Sequence, residues 1–162
     1  MLLYIVRHGP AGQHGDPHYP DDALRPLTKK GQKQFRRLVK KLARRGFAPA
    51  IVGTSPLVRC RQTAVAICQR VAPPPELTDL DCLRPGSDLD ALIAWSNDHE
   101  VGELAWGGHA PDVDRLAAAL IGGREGGIVF AKGAVAAINF ENEIAVGGGE
   151  LRWLVTPKAL GC

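Results

Sequence analysis

Residues Leu2 to Val6 read Leu-Leu-Tyr-Ile-Val, an apolar run with no wet side. It is too short for a buried helix, and its residues are branched or aromatic, as in a strand covered on both faces. Such a strand belongs in a sheet with helices packed above and below it. The run stops abruptly at Arg7-His8-Gly9-Pro10. In open α/β sheets, ligands collect at the carboxyl ends of the strands. A guanidinium there can grip an anion in two places, and an imidazole can serve as nucleophile, acid or ligand. Gly9 would let the backbone turn sharply and a ligand come close. Taken alone, the segment fits a solvated strand end equally well.

Strands and helices alternate along the rest of the chain, so a mostly parallel sheet is expected. Residues 11–26, rich in Gly, Pro, Asp and His, read as a loop. Thr28 can cap a helix on which Phe35, Leu38, Val39 and Leu42 share one face, and Gly46 can end it. A second strand spans residues 50–54, and Ser55-Pro56 reads as N-cap and first position of a helix running to about residue 71. The three prolines at 73–75 break the chain, and residues 76–86 look irregular, with one short extended piece. Ser87 can cap a helix through Trp95. A third strand spans 102–106, a helix 112–121, and two final strands, 134–140 and 150–155, pair through a turn at 142–149. With no repeat and no linker, residues 1–162 read as one domain.

Composition narrows the partners. A chain of 162 residues with 45% apolar content and 23% charge can bury roughly 70% of its unfolded surface. Its net charge is only +3, with Lys and Arg concentrated between Lys29 and Arg45, a face without interleaved aromatics. That argues against nucleic acid as a partner. No apolar run reaches membrane length. Cys60, Cys68, Cys82 and Cys162 show neither metal-site nor disulfide spacing, which reads as reduced thiols and a cytoplasmic setting. His14 and His18 lie four apart, but Gly15, Asp16 and Pro17 between them speak against a helix aligning them on a metal. They and His99 read as solvated, and neither metal nor cofactor is expected.

Three joints share one design. The first strand ends in Arg7-His8-Gly9, the second in Thr54-Ser55-Pro56 before a helix bearing Arg59, the third in Gly107-Gly108-His109 before a helix. If these strands are parallel neighbours, two histidines, two arginines and two helix N-termini converge on one rim, a basin for a compact anion such as phosphate.

These residues also carry a family resemblance. Arg7-His8-Gly9 resembles the Arg-His-Gly signature of the histidine phosphatase superfamily, which includes the phosphoglycerate mutases. Arg25-Pro26-Leu27-Thr28 with Gly31, then Thr54-Ser55-Pro56-Leu57-x-Arg59-x-x-Gln62-Thr63, then Gly108-His109-x-Pro111 resemble its further motifs in order. The short length and the Trp153-x-x-Thr156-Pro157 ending are most similar to the small SixA-type phosphohistidine phosphatases. The resemblance implies a phosphoglycerate mutase-like three-layer α/β sandwich without a large cap insertion.

For the site it implies His8 as nucleophile, and Arg7 and Arg59 as clamps on the phosphoryl oxygens. His109 would be a further donor, most useful when cationic, with Gly9 and Ser55 bordering the substrate. Gln62 and Thr63 would serve packing and internal hydrogen bonds. The leaving-group acid is less legible. Ala110 follows His109, Cys82 stands where a Glu would be expected, and Asp81 is the nearest candidate. An imidazole leaving group can arrive already protonated, whereas an alkoxide needs a donor. That difference, with a pocket left open by the short segment between Arg70 and Leu104, points to phosphohistidine on a partner protein, a histidine phosphotransfer domain or phosphocarrier. The alternatives are a small-molecule phosphomonoesterase or mutase-like enzyme, and a phosphate-binding adaptor that no longer turns over.

Overall fold

The computed structural model describes residues 1–123 and 127–162. Among these, six strands and four helices follow one another: β1 (Leu2–Arg7), α1 (Lys29–Ala43), β2 (Ile51–Thr54), α2 (Val58–Cys68), β3 (Glu76–Asp79), α3 (Leu89–Asn97), β4 (Glu103–Gly108), α4 (Asp112–Leu120), β5 (Val135–Asn139) and β6 (Glu150–Val155). The strands form one sheet in the order β3-β2-β4-β1-β5-β6. β3, β2, β4 and β1 run parallel, while β5 is added antiparallel to β1 and β6 antiparallel to β5.

The period-2 alternation of strand side chains divides β1 between two cores. Leu3 and Ile5 pack with Leu104, Trp106, Leu92 of α3, and Val113 and Leu116 of α4. Tyr4 and Val6 face the other way, onto Phe35 and Leu38 of α1 and Ala64 and Ile67 of α2. Helices therefore cover both faces, giving the three-layer α/β sandwich that the resemblance implies. No described helix is long and apolar enough to cross a membrane.

Local chemistry accounts for the element ends and for several departures from expectation. Thr28 caps α1 as expected, its hydroxyl accepting from the Gly31 amide at 2.9 Å, and Gly46 ends that helix region with φ +92°. Ser55 does not cap α2. Its hydroxyl is fully buried against His109, and the helix starts at Val58 behind Leu57, which makes no side-chain cap bond. Asp88, not Ser87, caps α3 by accepting from the Ala91 amide at 3.1 Å, since a carboxylate is the stronger acceptor. The extended piece within residues 76–86 is β3, an edge strand on β2. The loop over residues 11–26 contains a 3-10 turn, Asp22–Leu24, capped by Asp21.

Candidate active site

The parallel pairing of β1 with β4 and of β4 with β2 aligns Arg7 with Gly108 and Thr54 with Gly107. Three strand ends therefore meet at one edge of the sheet. His8 and His109 emerge from neighbouring strands, and their ring centroids lie 5.4 Å apart at an interplanar angle of 61°.

His8 is 7% exposed. Its Nδ1 lies 2.7 Å from the Gly9 carbonyl oxygen, which can only accept, so Nδ1 carries the proton and Nε2 the lone pair. Burial pushes the ring pKa down to about 3, against the opposing pull of that carbonyl and with help from His109, Arg59 and Arg7. At neutral pH His8 is an uncharged imidazole in one tautomer. His109 is likewise lowered to about 4, chiefly by burial and then by Arg59. In the protein's own field it is neutral at ordinary pH. Its Nε2 sits 2.9 Å from the Ser55 hydroxyl and 3.5 Å from Cys60 Sγ, a thiol that burial raises to about 12 and keeps protonated.

Both arginines are anchored through part of the guanidinium only. Arg7 donates from Nη1 to the Phe130 carbonyl, and Arg59 donates from Nη1 to the Asp22 carbonyl at 2.8 Å. The Nε groups of Arg7 and Arg59 are buried, with no hydrogen-bond partner among the described residues. Buried donors of this kind require an acceptor, and beside two imidazoles an oxyanion is the fitting one. Among the described residues, no group of three or more His, Cys, Asp or Glu is placed to hold a metal ion.

Two residues expected to border the substrate are hydrogen-bonded within the protein. The Gly9 amide donates to Thr63 Oγ1 at 3.1 Å, so it is already committed, and a Cβ at Gly9 would meet Leu27 at an ordinary 3.5 Å. Gly9 is not among the glycines with positive φ, so its backbone conformation does not itself call for glycine. The Ser55 hydroxyl is paired with His109 Nε2, which fixes the orientation of that ring. Thr63 in turn donates to the Arg59 carbonyl at 2.7 Å, and Gln62 accepts from the Leu27 amide at 2.8 Å, which ties α2 to the loops around His8. Asp81 is not brought to the cluster. Its carboxylate is 83% exposed and paired with Arg84 at 2.8 Å.

The residue missed from sequence is Asp22. Its carboxylate meets Arg25 Nε at 2.7 Å and Arg59 Nη2 at 3.0 Å, and the exposed His14 reaches the same carboxylate. The bond from Arg25 comes first among the causes that hold Asp22 well below the usual carboxylate range. The available signal was Asp22 standing three residues before Arg25, a spacing that one turn of helix brings together. His18 is exposed as well, against Asp16.

The family model for the histidine phosphatase superfamily (branch 1) matches residues 3–84, a span that takes in Arg7, His8 and Arg59. The chain belongs to the histidine phosphatase superfamily. It is 32% identical to an uncharacterized protein of Picosynechococcus sp., over 99% of both chains. Among solved structures, this superfamily member superposes on the protein histidine phosphatase SixA complexed with tungstate with a TM-score of 0.86, at 26% identity over 99% of each chain. The α-ribazole phosphatase from Shigella flexneri gives 0.75 at 18% identity over 97% of each chain, a likeness of fold alone.

Proposed function

We propose that this phosphatase removes phosphate from phosphorylated histidine on a partner protein, through a phosphohistidine intermediate on His8. The observation that carries the proposal is the fixed tautomer of His8. With Nδ1–H held by the Gly9 carbonyl and the ring neutral above about pH 3, Nε2 offers a lone pair at any ordinary pH.

In the first step Nε2 attacks phosphorus and the phosphorus–nitrogen bond of the substrate breaks. A substrate ring protonated on its other nitrogen leaves as neutral imidazole, so no protein acid has to supply a proton. The His8 ring becomes a phosphorylated imidazolium whose Nδ1–H stays on the Gly9 carbonyl. In the second step water attacks phosphorus, the bond to Nε2 breaks, and one water proton passes to solvent. His8 returns to its starting tautomer. Arg7 and Arg59 stabilise the charge on the transferred group throughout, and their buried Nε groups are donors without a partner among the described residues. His109, neutral before substrate arrives, gains a proton-favouring neighbour when the phosphoryl group binds. Charge supplied by fixed guanidiniums removes the need for a metal ion.

The test pairs a phosphorylated histidine phosphotransfer domain with p-nitrophenyl phosphate, both in excess EDTA. Rapid loss of protein phosphate with feeble ester hydrolysis is expected, abolished by His8→Ala without change in the melting temperature. Efficient ester turnover would replace this reading with a small-molecule phosphomonoesterase. Inertness toward both, with phosphate still bound, would replace it with an adaptor.

A further inference from the structure

Charge is segregated along this chain to a degree that the net +3 conceals. Between Asp22 and Glu76 there is no acidic residue, yet the stretch holds thirteen of the 20 Lys and Arg. The remainder sets seven cations against 17 acids, a balance of −10. α1 contains no carboxylate at all, and Lys29, Lys33 and Arg37, like Arg36 and Lys40, follow one another at i,i+4. Each such like-charge pair works against the helix. No carboxylate among the described residues offsets this, because Lys29, Lys33, Arg36, Arg37, Lys40 and Arg70 are all exposed and none is in an ion pair. Together they line one trough of about 500 Å³.

The trough is joined to the active site. The first turn of α1 is seated on Pro10, two residues from His8. The Thr28 amide donates to the Pro10 carbonyl at 3.0 Å, and Gly31 packs so closely that a Cβ would collide with the same oxygen. A second groove, of about 400 Å³, opens between α1 and α2 over Leu27, Val58 and the exposed Val65, and shares Gln32 and Arg36 with the trough.

We infer that this face docks an acidic, amphipathic helix of the phosphorylated partner, its apolar side in the groove and its carboxylates along the trough. The inference rests on the proposed protein-phosphohistidine activity and names the partner's chemistry. A concave apolar seat beside the cations suits a protein helix. Single-stranded nucleic acid would look for exposed aromatics, and none lines the trough. A membrane surface needs an apolar face to insert, whereas Phe35, Leu38, Val39 and Leu42 of α1 are already spent on the core.

The test neutralises Lys33→Gln, Arg37→Gln and Lys40→Gln together, three exposed positions away from the phosphate site. The substrates are an acidic phosphorylated histidine phosphotransfer domain and free phosphohistidine. On the domain, kcat/KM is expected to fall about 10-fold at low salt, through KM, with a flatter salt dependence. On free phosphohistidine the variant should match the parent. An undiminished kcat/KM on the domain overturns the docking proposal. If the parent hydrolyses neither substrate, the proposed activity fails, and docking is then read separately from fluorescence anisotropy with the unphosphorylated domain. Binding that the triple variant loses upholds docking, and no binding at low salt overturns it. Trough-dependent binding to phosphatidylserine vesicles or duplex DNA, or trough-dependent self-association in sedimentation, without binding to the domain, overturns it as well.

Discussion

Replacing Asp22 with asparagine would isolate the charge that balances the buried arginine pair. Arg25 and Arg59 are 9% and 4% exposed, and the Asp22 carboxylate meets them at 2.7 and 3.0 Å. Charge-assisted bonds of this kind contribute about 1.5–3 kcal/mol each when buried. The carboxylate itself is 36% exposed, so water screens the pair toward the ~1 kcal/mol of surface contacts, and asparagine keeps one neutral acceptor. The expected loss is about 2 kcal/mol, which for a chain of this size lowers the melting temperature by roughly 6 °C. Asparagine leaves the backbone carbonyl that accepts from Arg59 Nη1, so the guanidinium stays in position while its counter-charge disappears. Orthophosphate should therefore bind more tightly, by about 1 kcal/mol or roughly fivefold. Urea unfolding with and without phosphate reads both effects. A variant as stable as the parent and no tighter for phosphate would show that Asp22 is not the counter-ion of this pair.

Further outcomes follow from the same geometry. His8 and His109 are both lowered from 6.5, to about 3 and about 4, so folding favours their neutral forms. Their contribution to stability is complete above about pH 6.5 and is lost as pH falls through 4 toward 3. Urea midpoints across that window should drop less for His8→Asn than for the parent, and an equal drop refutes the assignment. Gly31→Ala forces a methyl into the Pro10 carbonyl and should cost about 1–3 kcal/mol in a thermal melt, with phosphate binding weakened as the His8 loop shifts. Cys60, buried and raised to about 12, should resist a thiol-titrating disulfide reagent until the protein unfolds, while a thiol as fast as free cysteine would mean the His109 pocket is open.

The sequence announced the site through residue types that strand ends rarely need. Arg7, His8 and His109 stand immediately after apolar runs, and parallel pairing alone suffices to gather them. What it could not announce was how polar groups divide their labour once buried. Ser55 before Pro56 has the composition of a helix cap, yet the nearer His109 ring claims its hydroxyl. Gly9 looks like conformational freedom, but its amide is engaged by Thr63, 54 residues away. Asp22 sits in a stretch whose Gly, Pro and Asp content reads only as loop, and its value depends on Arg59 arriving from α2. Each of these is a contact between distant segments, to which local periodicity is blind. His109 shows the same limit in electrostatic form, since burial and neighbouring guanidiniums decide its charge.

The position of β1 has a consequence for how the protein is made. Its partners in the sheet are β4 and β5, with Leu2 opposite Glu103 on one side and Asn139 on the other. The strand that delivers His8 thus precedes both of its sheet partners in the chain, and Leu2 has nothing to pair with until Glu103 has emerged. Contacts this distant in sequence are slow to form. The stretch from residue 3 to 84, which carries the family signature, lacks both neighbours of β1. Expressed alone, it should expose that apolar strand rather than assemble half a phosphatase.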